Sequence, residues 1–156
     1  MISPQEVKAF FNQAYYTSQR MLTLIMKIQE CRARAMQESS RWNDTSKGGR
    51  SNRSPQEVWI EKSEELQEKW RILAEELMDR DRIAHELIEM LTDQRQKALL
   101  EDRHIWRMSW RKMEAKNHYT ERQMRNILNA AYRELAAMIS DTEIEDKYFR
   151  QFPIKK

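Results

Sequence analysis

Between Arg107 and Asn129 the chain sets out side chains of the kinds that recognise nucleic acid. Arg122, Gln123, Arg125, Asn126 and Asn129 follow one another closely. An Arg can grip guanine bidentately in the major groove, and an Asn or Gln can do the same to adenine. With Thr120 and Glu121 they form the expected base-reading set. Arg107, Ser109, Arg111 and Lys112 lie just upstream and are expected to contact the DNA backbone, where cations and hydroxyls neutralise or bond phosphates. Thr120 and the amides behind it would also suit a phosphate oxygen, because the first N–H groups of a helix point outward.

For these groups to converge, the backbone must turn sharply between two helices. Ser109 is placed to open a short helix and Thr120 a longer one covering 120–139. Trp110 and Met113 stand three apart and face one way, while Met124, Ile127, Leu128, Ala131 and Leu135 form an inward stripe. Between them lies Lys116-Asn117-His118-Tyr119, with Asn117 the expected left-handed residue of the turn. This is the layout of a helix-turn-helix, whose second helix can enter the major groove.

The rest of the chain reads as a helical support. Only 2 Gly and 3 Pro occur in 156 residues, and 34% of residues are charged. Few breakers among many helix formers predict an all-α protein. The sequence Ser-Pro-Gln-Glu-Val occurs at Ser3–Val7 and again at Ser54–Val58. Each copy offers an N-cap Ser, a Pro at the first helical position and a Glu able to close a capping box. From these two starts, helices are expected over about 4–39 and 55–91. Val7, Phe10, Ala14, Thr17, Met21, Leu24, Ile28, Cys31 and Ala35 step by three and four along the first, with Leu22 and Ile25 widening the seam. Trp59, Ser63, Leu66, Trp70, Leu73, Leu77, Arg80, Ala84, Leu87 and Leu91 do so along the second. Two nearly equal helices with apolar seams predict an antiparallel, coiled-coil-like hairpin over 1–91, with a polar loop at 40–54. A homodimer through the same seams is the competing use of them.

A third helix is expected over Asp93–Arg103, with Ala98, Leu99 and Ile105 as core contacts, within a helix-turn-helix domain at 92–139. The tail, 140–156, carries Ile144, Tyr148, Phe149, Phe152 and Ile154 among four acids and four bases.

Charge sorts by segment. Pro55–Leu91 holds eleven acids and five bases, whereas Gln94–Arg133 holds ten bases and four acids. A merely solvated face mixes its signs, so a local excess of six cations is the better pointer to a polyanion than the total charge of +3.

Leu99–Leu135 resembles region 4 of sigma-70-type factors. There a Leu-rich helix precedes a short "S/T-W-x-x-I-A" helix, then "Y-S-x-x-x-V" opening the recognition helix and a late "A-L-x-x-L". The corresponding residues are Ser109-Trp110…Met113, Tyr119-Thr120…Met124 and Ala130…Leu135. From about Gln13 to Leu135 the chain is similar to small phage and prophage regulators of the RinA and ArpU type. Those place such a domain after a helical pair and act on late or packaging genes in Gram-positive hosts. The resemblance implies a DNA-binding transcriptional regulator with double-stranded DNA, and also RNA polymerase, as partners. Glu114 stands where that family has a small Ala between the two helices, which calls for a rotated helix or for pairing with Arg111 or His118. Asn117 stands where Leu or Met is usual.

Other classes find less support. His85, His104 and His118 stand alone, without an HExxH or CxxC companion, so no catalytic residue, metal ligand or cofactor is expected. Lys47-Gly48-Gly49-Arg50 lacks the ending of a phosphate-binding loop. Cys31 is the lone cysteine, on a seam, and reads as a small buried apolar residue in a reducing compartment. With no long apolar run, a cytoplasmic protein that avoids membranes is expected. Two alternatives remain open: a phage assembly component resembling a small terminase subunit, and an adaptor that binds polymerase without reading DNA.

Overall fold

The computed structural model describes residues 2–44 and 53–140, the side chains of 39 and 41–44 excepted. The described residues contain helices and no strand. They are α1 (Pro4–Asp44), α2 (Pro55–Met90), α3 (Gln94–Leu100), a π-helical turn (Glu101–Ile105), α4 (Trp110–Asn117) and α5 (Glu121–Ile139). The polar loop expected at 40–54 falls mostly outside the described residues, and so does nearly all of the tail at 140–156.

Both long helices start where the repeated pentapeptide places them. Ser3 Oγ accepts from Glu6 N at 3.2 Å while Glu6 Oε2 accepts from Ser3 N at 2.8 Å, closing a capping box. In the second copy Ser54 Oγ accepts from Glu57 N at 3.2 Å. With 41 and 36 residues they extend about 62 and 54 Å at 1.5 Å per residue.

By contacts the chain divides into two compact units, one made of Thr17–Leu77 and the other of Met1–Tyr16 with Met78–Lys156. The division cuts across α1 and α2, whereas the sequence reading divides the chain at Leu91. In the first unit the helices pack antiparallel. Arg34 lies over the Trp59 ring at 4.7 Å, and lower on α1 Leu24 shares a pocket with Leu73, higher on α2. Thr17, Ile28, Cys31, Ala35, Ser63 and Leu73 are buried here, and Met21, Leu24, Trp59, Leu66, Trp70 and Leu77 are half-buried, as the heptad spacing requires. Leu22 does not widen the seam: at 54% exposure it faces water.

The second unit holds the main core. Val7, Phe10 and Phe11 of α1 meet Ile83, Leu87, Ile88 and Leu91 from α2 and its end, together with Leu99 and Leu100 of α3. Met113 of α4 and Met124, Leu128, Ala131, Leu135 and Ile139 of α5 complete the cluster. This shared core explains the boundary. The C-terminal helices are too short to bury their apolar faces among themselves, so the ends of the long helices supply the missing surface. Arg80, on the α2 seam, is 6% exposed with its guanidinium 5.7 Å from the Phe10 ring.

The third helix differs from expectation. Asp93 caps it, accepting from Arg95 N at 2.9 Å, but α-helical geometry stops at Leu100. The chain then widens into a π turn, closed by Trp106 N donating to Glu101 O at 2.9 Å. Its buried residues are Gln96, Leu99 and Leu100, then Asp102 and His104 of the turn; Ala98 is exposed. Asp102 and His104 of this turn meet partners from distant segments, and helix propensity carries no trace of them.

Candidate nucleic-acid interface

The two-helix unit is capped as its sequence suggests. Ser109 Oγ accepts from Lys112 N at 3.3 Å at the start of α4. Thr120 Oγ1 accepts from Gln123 N at 3.2 Å, and Gln123 Oε1 accepts from Thr120 N at 2.9 Å, a complete capping box. The inward stripe of α5 is as expected: Met124, Leu128, Ala131 and Leu135 are buried and Ile127 is half-buried.

The turn between the helices corrects three expectations. The left-handed residue is His118, with φ 58°, and not Asn117. Asn117 is engaged instead, its Nδ2 donating to Met113 O at 3.0 Å and to Asp102 Oδ2 at 3.1 Å. Glu114 is exposed, and neither Arg111 nor His118 holds its carboxylate. Its Oε1 accepts from Glu121 N at 2.8 Å, so α4 caps the first amide of α5 with a carboxylate. A negative group at a helix N-terminus is favourable there, because the free N–H groups and the helix dipole both present positive charge. With Glu121 N and Gln123 N both satisfied, two of the amides expected to hold a phosphate at the start of α5 are already occupied.

Asp102 is the residue that the sequence reading missed. It is 2% exposed, and Lys116 Nζ reaches its Oδ1 at 2.6 Å while Asn117 occupies Oδ2. Its backbone carbonyl accepts from Met108 N at 2.9 Å. One buried carboxylate therefore ties the π turn to the last turn of α4. Asp102 followed fourteen residues later by Lys116 has no helical periodicity, so spacing alone could not pair them.

Beside it, His104 is 4% exposed, with Nε2 2.6 Å from the Tyr132 hydroxyl and its ring stacked on Phe11 at 4.9 Å. Burial pushes its pKa down to about 3, and the neighbouring charges of Arg103, Arg107 and Lys8 act in the same direction. The imidazole is therefore neutral. Burial likewise pushes the Tyr132 phenol up.

The remaining expected contacts separate into free and engaged groups. Arg122, Asn126 and Asn129 are exposed on α5, as are Arg111 and Lys112 on α4 and Ser109 at its cap. Gln123 is exposed, but its carbonyl oxygen belongs to the capping box, which leaves the amide nitrogen as its outward group. Glu121 and Arg125 pair with each other at 2.6 Å, and Arg125 also lies 4.5 Å from the Trp110 ring. Arg107 is turned inward: Nη2 bonds Asp81 at 2.9 Å and Nη1 donates to Ile105 O at 2.9 Å, with the backbone at φ 52°. It locks the chain between the π turn and α4 instead of standing ready for a phosphate.

Four tryptophans have described side chains, and three of them are half-buried, but Trp106 is 74% exposed. Among the described residues no group of three or more His, Cys, Asp or Glu is arranged to hold a metal ion, and no helix is long and apolar enough to cross a membrane. In comparisons with known proteins, no family model, curated protein or solved structure matches the chain.

Proposed function

We propose that the chain is a DNA-binding transcriptional regulator whose α5 enters the major groove, in line with its resemblance to sigma-70 region-4-like phage and prophage regulators. One observation carries the reading: α5 buries Met124, Leu128, Ala131 and Leu135 while leaving Arg122, Asn126, Asn129 and the Gln123 amide in solvent. Arg and amide side chains on one exposed face of a capped helix match the donor and acceptor edges of guanine and adenine. Arg111 and Lys112, exposed on α4, supply phosphate neutralisation beside that face. In this reading the long helices serve a homodimer or a contact with RNA polymerase.

Selection from a random duplex library followed by gel shift tests it. Arg122→Ala and Asn126→Ala should each lose discrimination at one base pair, by about 1–3 kcal/mol per bidentate contact. Arg111→Ala should weaken all duplexes alike and lower the salt slope by about one. Selection that returns no enriched sequence would sink the reading.

A second reading, a protein-binding adaptor, draws on Trp106. A Trp exposed to 74% beside the basic unit is the type of residue that anchors protein interfaces. It predicts that Trp106→Ala abolishes capture of RNA polymerase while duplex binding is absent in the parent as well.

A further inference from the structure

Three adjoining depressions lie along the groove between the start of α1 and the exposed flank of α5. The central one, about 270 Å³, is lined by Lys8, Asn12, Arg103, Arg125 and Asn129, with the His104–Tyr132 pair in its wall. A smaller one continues past Asn12 and Arg103 to Tyr15 and Tyr16, and the third shares Lys8 and Asn129 and adds Arg133. No Asp or Glu lines any of the three, in a chain with 25 acids. Four cations therefore face a continuous groove that is acid-free.

Their existing partners leave this charge largely unanswered. Arg125 shares Glu121, but Lys8, Arg103 and Arg133 form no ion pair among the described residues. Arg103 donates Nη1 to Met108 O at 2.9 Å and lies 4.4 Å from the Trp110 ring, so it is held in place by contacts that do not neutralise it. Two other cations of the same unit are matched, Arg107 by Asp81 and Lys116 by Asp102. The buried imidazole at the groove wall is surrounded by positive groups on both α1 and the π turn, which is the local field that an anion would relieve.

We propose that this groove is a phosphoryl-oxyanion site in which Lys8 and Arg103 supply the charge and Asn12 and Asn129 the neutral donors. A guanidinium held in place and an ammonium near it, beside amide donors, are suited to the several acceptor oxygens of a phosphate. The phosphate has two sources, a small phosphorylated ligand or the DNA backbone; the second rests on the proposed function, and the first does not. Because Asn129 belongs to both the groove and the reading face, either source couples the groove to DNA binding, and the coupling is reciprocal.

The test uses the full chain, the double variant Lys8→Gln/Arg103→Gln, and Lys69→Gln as a surface control. Inorganic phosphate and pyrophosphate are titrated at constant ionic strength against chloride, read by tryptophan fluorescence with Trp110→Phe identifying the reporter. Duplex affinity is measured over a salt series, and far-UV circular dichroism checks that each variant is folded. Saturable phosphate binding, weakened at least tenfold in the double variant and unchanged in the control, supports the site with a small ligand as its source, even if the chain binds no DNA and the functional reading falls. No saturation with free phosphate, but a salt slope lowered by about two in the double variant, supports the site with the DNA backbone as its source. Phosphate binding that the double variant leaves intact overturns it. So does DNA binding with an unchanged slope and no phosphate saturation, which leaves the functional reading standing. Absence of both kinds of binding overturns both.

Discussion

The Asp102 carboxylate, inside the π turn, accepts from Asn117 Nδ2 at 3.1 Å at the far end of α4. Lys116 takes its other oxygen at 2.6 Å, so a single buried acid orients the helix that precedes the turn into α5. The two partners are unequal. Asp102 is almost fully buried, whereas the Lys116 side chain is 57% exposed.

That inequality predicts which variant matters. Asp102→Ala should cost about 1.5–3 kcal/mol, since it strips charged hydrogen bonds and strands a partly buried amide. Lys116→Met should cost less than about 1 kcal/mol, because solvent screens most of an exposed partner's contribution. Urea unfolding of the two variants checks the ranking. Equal losses would contradict the anchoring role.

Glu114 bears on both stability and binding. Replacing it with Ala removes the carboxylate that accepts from Glu121 N, at an expected cost of about 0.5–1 kcal/mol. Glu114→Gln keeps an acceptor and should lose less. If α5 reads DNA, removing this negative charge beside its first turn should also tighten duplex binding at low salt. Denaturation midpoints and gel shifts on the same samples separate the two effects.

His104 predicts an acid-sensitive fold. Its pKa is held near 3 when folded, against about 6.5 unfolded. Between those values the unfolded chain binds the extra proton, so stability is fully present above about pH 6.5 and declines as pH falls toward 3. Its contribution to the slope approaches about 1.4 kcal/mol per pH unit in the middle of that window. His104→Gln, which retains an amide toward Tyr132, should show a shallower dependence of its urea midpoint between pH 6.5 and 4.5. Identical slopes would mean that the imidazole takes up its proton without cost.

Arg107 combines an ion pair with a left-handed backbone. Arg107→Gly removes the bond to Asp81 but relieves the positive φ, while Arg107→Ala removes the bond and keeps the strain. The Ala variant should be the less stable by about 0.5–1 kcal/mol, in reverse of the usual order of Ala and Gly. Thermal unfolding of the pair decides it.

Local signals were legible in the sequence wherever one segment carried all the information. Ser3, Ser54, Ser109 and Thr120 announce four helix starts because a cap needs only its own next three residues. The heptad seams disclose which faces are buried, since a helix repeats its faces at fixed intervals, and the inward stripe of α5 follows from the same rule. Contacts between distant segments were not legible. Asp102 with Lys116, His104 with Tyr132, Arg107 with Asp81 and Glu114 with the Glu121 amide obey no period. They depend on where a π turn and a left-handed His118 direct the chain. The sequence by itself thus determined where the helices start, most of the buried faces of α1, α2 and α5, and the basic character of the C-terminal segment. Only the tertiary structure decided which of its cations are consumed internally and which face open space, because pairing is a property of positions in space and not of spacing along the chain.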